Sequence, residues 1–276
     1  MTAPVLAIAG LSAAARRGGA ALLHDVSLTV AAGEVHGVVG MSGAGKSMIG
    51  RAVLGMLPAG VRLTQGSIRL AGQELVGLTE RAHRAALRAL ALVPQDPLSA
   101  LNPSRRIGAQ IIDVMRLRLG LGAAAAQLRA AALLAEVRIR DPARVLRAWP
   151  HELSGGMRQR VLIAAAFAAE PRLIIADEPT TALDVTVQKQ ILRLLRDLQR
   201  RHGTAILFIT HDLGVVAKLC NRVTVLRDGR IVEQAEVADI LLHPVHPYTR
   251  ALFAATPRYD RPEGAVLPPE LAGTPP

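Results

Sequence analysis

The chain has 276 residues, half of them hydrophobic, and a formal net charge of +11. That apolar content supports a sizeable core and argues against disorder, while a single cysteine, Cys220, excludes a disulfide scaffold or a cysteine metal cluster within the chain. The basic excess points to an anionic partner such as nucleic acid, nucleotide or an acidic membrane face. Nearly all of that charge is arginine: the lysines are Lys46, Lys189 and Lys218, so a lysine inside a glycine-rich loop stands out.

The first fifteen residues are uncharged, but no basic segment opens them, Pro4 and Gly10 interrupt them, and Arg16 and Arg17 follow. They read as a strand over Val5–Leu11 rather than a signal peptide. No uncharged apolar run approaches the ~18 residues that span a bilayer, so a soluble or peripheral protein is expected. VSLTV (26–30) reads as a second strand and AAGE (31–34) as a turn. Val35–Val39 is an apolar, β-branched run ending in glycine, as in a buried strand that feeds a loop. A helical pattern follows from Lys46 to Leu57, stopped by Pro58. GSIRLAG (66–72) reads as strand and turn, 79–90 as a basic helix, and ALVPQ (91–95) as a strand.

From Asp96 to Pro150 strand signals vanish, and Ala, Leu and Arg recur at helical spacing, with amphipathic helices over 105–119 and 123–137. LSGGMRQR (153–160) closes this helical insertion and opens a helix to Ala169. LIIAD (173–177) is another apolar strand, 185–201 a helix, TAILFIT (204–210) a strand, 212–219 a helix, and 223–233 a hairpin with Asp228-Gly229 at its turn. The alternation of strand and helix on both sides of the insertion predicts an α/β core with a mostly parallel sheet. From about Pro244 prolines accumulate and the pattern dissolves into a tail.

GMSGAGKS (40–47) matches G-x-x-x-x-G-K-[ST] between a predicted strand and a predicted helix, the setting that phosphate binding needs. Glycines there let successive backbone N–H groups turn toward phosphate oxygens, and the helix start adds its positive end. Lys46 can reach the β and γ phosphates, and the Ser47 hydroxyl can ligate Mg²⁺. LIIADE ends its strand in two carboxylates: Asp177 is placed to hold Mg²⁺ through water, and Glu178 to polarise an attacking water as general base. Gln95 follows a strand and can reach both metal and water. His211, at the tip of TAILFIT, can sense a γ-phosphate. LSGGMRQR is a second anion-ready helix start in the same chain.

The ordered set GMSGAGKS, Gln95, LSGGMRQR, LIIADEP, Ala182-Leu183-Asp184 and His211 resembles the nucleotide-binding subunits of ABC transporters, over residues 5 to about 233. The resemblance implies a P-loop NTPase cassette of α/β class. Its parts are a RecA-like core, an N-terminal antiparallel β subdomain and an inserted helical subdomain. The implied nucleotide-binding domain covers 1–243, with the helical part about 96–160, followed by a tail over 244–276. It implies ATP and Mg²⁺ as cofactors. Gly40, Met41, Ser42, Gly43, Ala44, Gly45, Lys46, Ser47 and Met48 then line the nucleotide, while Ser47, Gln95 and Asp177 serve the metal. Glu178, His211 and Gln95 are the implied catalytic residues. Ser154, Gly155 and Gly156 contact the γ-phosphate held by a second subunit, and Asp184 bridges the two halves. The second cradle thus serves a partner's nucleotide.

QDPLSALNP (95–103), EPTTALDVTVQ (178–188), THDLGVVA (210–217) and HPYTRALFAATP (246–257) resemble the peptide and nickel importer ATPases. LGMLPAGVRLTQGSI (54–68) and the WPHELSGGM segment resemble the nickel and metallophore branch more than the dipeptide importers. The implied assembly is a homo- or heterodimer of ATPases at the cytoplasmic face of the inner membrane. It carries two permeases and is served indirectly by a periplasmic solute-binding protein, with no nucleic acid partner. Two other readings stand beside it: a soluble ABC ATPase acting on ribosomes or nucleic acid, and a partner subunit that hydrolyses poorly. One departure is clear. The family stacks adenine on an aromatic, and LSAAARRGGA (11–20) has none, leaving the planar guanidinium of Arg16 or Arg17.

Overall fold

The computed structural model describes residues 3–16, 19–181 and 183–254. In chain order they form β1 (Leu6–Ala15), β2 (Ala21–Val30), β3 (Val35–Val39), α1 (Lys46–Leu54), β4 (Val61–Leu70), β5 (Gln73–Glu74), α2 (Glu80–Ala86), β6 (Leu90–Val93), α3 (Pro97–Ala100), α4 (Ile107–Leu119), α5 (Ala123–Glu136) and α6 (Pro142–Arg147). There follow α7 (Gly155–Ala168), β7 (Leu173–Asp177), α8 (Val185–His202), β8 (Ala205–Thr210), α9 (Leu213–Leu219), β9 (Arg222–Arg227), β10 (Arg230–Glu236), α10 (Val237–Leu242) and α11 (Pro247–Ala254). The chain divides into two compact units.

One unit comprises Leu6–Val30, Glu34–Val76 and the chain from Leu207. Its first layer is a four-stranded antiparallel sheet in the order β2-β1-β4-β5. Period-two patterning drives it: Leu23, Val26, Leu28 and Val30 of β2 are buried while the residues between them are wetter. Leu6 pairs with Val30 and Ile8 with Leu28, after which the register shifts. The second layer contains β3, parallel to β9, with β10 antiparallel on the other side of β9. Every residue of β3 is buried, as expected of a central strand rich in valine. His36, inside it, is fully buried and satisfied on both ring nitrogens, Nδ1 3.1 Å from Glu34 Oε1 and Nε2 2.8 Å from the Thr224 hydroxyl. Val39, Leu213, Val216, Val223, Val225, Val237 and Ile240 form a core cluster, against which Tyr248, Leu252 and Phe253 pack.

The other unit is chiefly Gly77–Ile206. Here β6 and β7 pair in parallel, Leu90 opposite Leu173 and Val93 opposite Ala176. Helix α4 buries Ile107, Ile111 and Met115 at four-residue spacing, and α5 buries Ala126, Ala130, Leu133 and Leu134. Small side chains let these helices approach closely, and Phe167 on α7 is among the largest fully buried groups. Helix α8 is strongly amphipathic, with Ile191, Leu192, Leu194, Leu195 and Leu198 turned inward. Among the described residues no single helix is long and apolar enough to cross a membrane.

Three details differ from the sequence expectations. The first helix stops at Leu54, not Leu57, because Gly55 takes the left-handed conformation and its N–H closes on the Ala52 and Arg51 carbonyls. The expected helix over 79–90 is α2 and a 3₁₀ turn over Leu87–Ala89, with Leu90 already in β6. The segment beyond Pro244 is not patternless: Pro247 is the first residue of α11, a place where its missing N–H costs nothing.

Candidate functional site

The loop between β3 and α1 is built by close backbone approach. Gly40 has φ +156°, and a Cβ there would sit 2.2 Å from the Leu226 carbonyl oxygen of β9, so only glycine fits. Gly45, at φ 99°, is the N-cap of α1, which begins at Lys46. Lys46 is buried, and its Nζ donates to the carbonyls of Gly40 and Met41, each at 2.9 Å. Met41, Ser42 and Gly43 are exposed, Ala44 is buried, and Ser47 and Met48 are half-buried on the first turn of α1. A left-handed glycine loop, a helix N-terminus and a lysine form a donor set for polyphosphate. The cradle fits such a ligand, since three residues of its tip face water and its tight glycines leave no side chain in the way.

A second group lies in the other unit. Glu178, just past the carboxyl end of β7, has φ 46°, a left-handed conformation that a side-chain-bearing residue holds at a cost of about 1–3 kcal/mol. Its carboxylate accepts the Thr181 hydroxyl at 2.9 Å and lies 3.5 Å from the Gln95 amide nitrogen. Strand pairing of β6 with β7 brings these ends together across 83 positions of sequence. Asp177, the residue before, is half-buried at the end of β7. Strained backbone and a carboxylate oriented by a hydroxyl suit a general base.

The same unit carries the start of α7. Ser154 is its N-cap, the hydroxyl accepting from Met157 N–H at 3.4 Å, and Gly155 is its first residue. Ser154 and Gly155 are exposed, and a Cβ built on Gly155 meets nothing within 4 Å. Gly156 is tighter, with Val187 Cγ1 at 3.2 Å from such an atom. Asp184 caps α8, accepting from Thr186 and Val187 N–H at 3.0 and 2.9 Å, and remains exposed. Ala182 lies outside the described residues. His211, in the first unit, is exposed on the bend after β8. Arg16 is accounted for at the backbone only, donating to Gly60 O at 2.6 Å, and Arg17 lies outside the described residues. Among the described residues, no three His, Cys, Asp or Glu side chains are grouped to hold a metal.

Tyr248 was not legible as a loop residue: its hydroxyl accepts the Met41 N–H at 3.0 Å, from 207 positions away. Arg227 lies over the Tyr248 ring, 5.1 Å from its centre.

A glycine-rich strand-to-helix loop carrying Lys46, with a strand ending in paired carboxylates, defines a P-loop nucleotide-binding protein. Comparison narrows the class. Residues 23–181 match the ABC transporter family model, and residues 232–276 match the C-terminal region of oligopeptide and dipeptide transporters. A probable D,D-dipeptide transport ATP-binding protein, DdpD, of Escherichia coli is 45% identical over all of this chain and 85% of its own length. The oligopeptide transport ATP-binding protein OppD of Salmonella typhimurium is 44% identical over 92% of this chain and 75% of its own. Among solved structures, cbiO1 of Clostridium perfringens, part of an ABC transporter complex, matches with TM-score 0.77 and 24% identity, covering 88% of this chain and 92% of that one. A dimeric post-hydrolysis state of an ATP-binding cassette bound to ADP and Pi matches with TM-score 0.73 and 25% identity, covering 84% and 98%. The chain belongs to the ATP-binding proteins of ABC transporters. Its fold is the P-loop cassette with an antiparallel β subdomain and an inserted helical subdomain, and it is an ATPase that energises transport.

Proposed function

We propose that the chain works as one half of an ATP-sandwich dimer that drives a peptide importer, peptides being the cargo named in the relatives DdpD and OppD. The nucleotide-binding domain takes 1–243, and 244–276 is an appended tail of the kind matched over 232–276. The loop from Gly40 to Met48 holds the triphosphate of its own chain. Ser154, Gly155 and Gly156 complete the site of the second subunit, and Asp184 bridges the two chains. Two permease subunits receive the motion, a solute-binding protein delivers cargo, and the complex works at the cytoplasmic face of the membrane.

The observation that carries this reading is Gly155. Alanine in place of glycine at a compatible helix position stabilises by about 0.5 kcal/mol, and among the described residues nothing crowds this position. The absent side chain makes sense when something outside the chain approaches the α7 N-terminus closely. An anion held by a second copy is what exposed N–H groups at a helix start attract.

Within its own chain each residue has a defined task. Lys46 leaves its carbonyl partners to meet phosphate charge, the loop amides orient the chain of phosphates, and Glu178, aimed by Thr181, takes the proton of the attacking water. Gln95, whose amide nitrogen lies against the same Glu178 oxygen as the Thr181 hydroxyl, positions that water, and His211 contacts the γ-phosphate. For Mg²⁺, the oxygens of Ser47, Gln95 and Asp177 are hard donors of the right kind, and the ion would neutralise charge on the phosphates.

Mixing two inactive variants tests the arrangement. Lys46→Ala lacks a working loop and Ser154→Arg a working helix start, so each alone should be inactive. Mixed, they should regain hydrolysis, because one of the two shared sites in a mixed dimer is intact. No recovery on mixing, with both variants folded and dimerising, would refute the shared site.

A further inference from the structure

The tail helix α11 reaches the nucleotide loop through one hydroxyl. Tyr248 Oη accepts the Met41 N–H at 3.0 Å, and Lys46 Nζ donates to the carbonyls on both sides of that residue, Gly40 O and Met41 O. The Gly40–Met41 peptide is therefore held from both ends, its oxygen by the phosphate-binding lysine and its N–H by the tail. It has little room to relax, because the Leu226 carbonyl closes on Gly40 from β9, and Ala44 O accepts Gly229 N–H at 3.0 Å.

Tyr248 is itself held in place. The Arg227 guanidinium covers its ring. Upstream, the Glu233 carboxylate on β10 accepts Val245 N–H at 2.8 Å and His246 N–H at 3.0 Å, and His246 Nδ1 accepts Tyr248 N–H at 3.1 Å. The sequence HPVHPY is thereby folded into a bracket whose end is the tyrosine hydroxyl. Beside the contact is a cavity of about 660 Å³ lined by Met41, Ser42 and Ala44 of the loop and by Tyr248 and Leu252 of α11. The loop is not buried under the helix: its tip stays open, and the Tyr248 hydroxyl is a polar link to it.

We propose that Tyr248 is a positioning residue for the nucleotide loop: by fixing the Gly40–Met41 peptide it presets the backbone of the loop for phosphate, so that nucleotide affinity depends on the docked tail helix. The physical basis is preorganisation, since a loop already held in one conformation loses less freedom when its ligand binds. The proposal rests on the reading of Gly40–Ser47 as the phosphate cradle.

The test is calorimetric binding of ATP and ADP to the purified full chain, together with steady-state hydrolysis. Tyr248→Phe keeps the ring under Arg227 and removes only the acceptor. It should raise Kd for ATP and for ADP about three- to tenfold, the weight of one hydrogen bond. KM should rise by the same factor and kcat at saturating ATP should stay within about twofold. Glu233→Gln loosens the bracket without touching ring or loop and should shift Kd in the same direction by about twofold. Unchanged Kd in Tyr248→Phe, while Lys46→Ala abolishes binding, overturns the proposal and leaves the cradle standing. A fall in kcat with KM unchanged also overturns it, since a preset loop acts on binding. Undiminished binding in Lys46→Ala removes the cradle reading and this proposal with it.

Discussion

The two anion-ready regions of this chain use glycine for opposite reasons. In the Gly40–Ser47 loop, glycine is demanded from within: a Cβ at Gly40 would strike the Leu226 carbonyl at 2.2 Å. At the start of α7, a Cβ on Gly155 would meet nothing. The loop is also tied down, with Lys46 buried, the Met41 N–H donated to Tyr248 of α11 and the Ala44 carbonyl accepting the Gly229 N–H of the β9–β10 turn. The α7 start is exposed at Ser154 and Gly155 and is capped by the Ser154 hydroxyl. The loop shows its reasons inside its own chain. The α7 start, which on the proposed reading serves a second copy, carries a glycine that the described packing does not require.

Alanine substitutions break or sharpen that contrast most directly. Gly40→Ala should lower stability by about 3 kcal/mol, through the clash and the φ that alanine resists, and abolish ATP binding. Denaturant unfolding and calorimetry measure both. A second test separates holding nucleotide from cleaving it. Glu178→Gln should slow hydrolysis at least about a hundredfold, near 2.7 kcal/mol, while ATP binding persists and the dimer accumulates on size-exclusion columns. Normal turnover in that variant would remove Glu178 as the base.

Gly155→Ala should do the reverse of Gly40→Ala. The isolated chain should gain about 0.5 kcal/mol, because alanine favours the helix and meets no obstacle, yet hydrolysis should fall. A loss of stability would mean that the position is constrained from within after all.

The smallest effect concerns pH and the tail bracket. Burial alone would push the Glu233 carboxyl up, but hydrogen bonds from the Val245 and His246 amides and the nearby His246 imidazole hold it below its ordinary range. A lowered carboxyl contributes stability above its unfolded value, about 4.3, and loses it as pH falls through the lower folded value. Glu233→Gln should therefore melt about a degree below the wild type at neutral pH, the difference vanishing under acid conditions. A Tm gap that persists at low pH would assign the effect to packing.

Much of this was legible before any coordinates. The run Val35–Val39 into GMSGAGKS, and LIIAD ending in carboxylates, carry their own backbone logic within a few residues. The helices over 105–119 and 123–137 appeared close to their final bounds, because an apolar stripe at helical spacing is a local signal. The segment after Pro244 reads as a tail because proline usually breaks helices, yet Pro247 opens α11. The role of HPVHPY was likewise invisible, because nothing within that stretch names Glu233 or Met41 as its partners.

The sequence by itself determined the kind of machine: spacing, periodicity and local sterics specify a phosphate loop, a carboxylate-ended strand and a capped helix start. Tertiary structure alone decided which groups share work. It set Gln95 beside Glu178 and Tyr248 against Met41, across 83 and 207 positions. Such pairings depend on how strands register and helices pack over the whole chain, and no short window of residues contains that information.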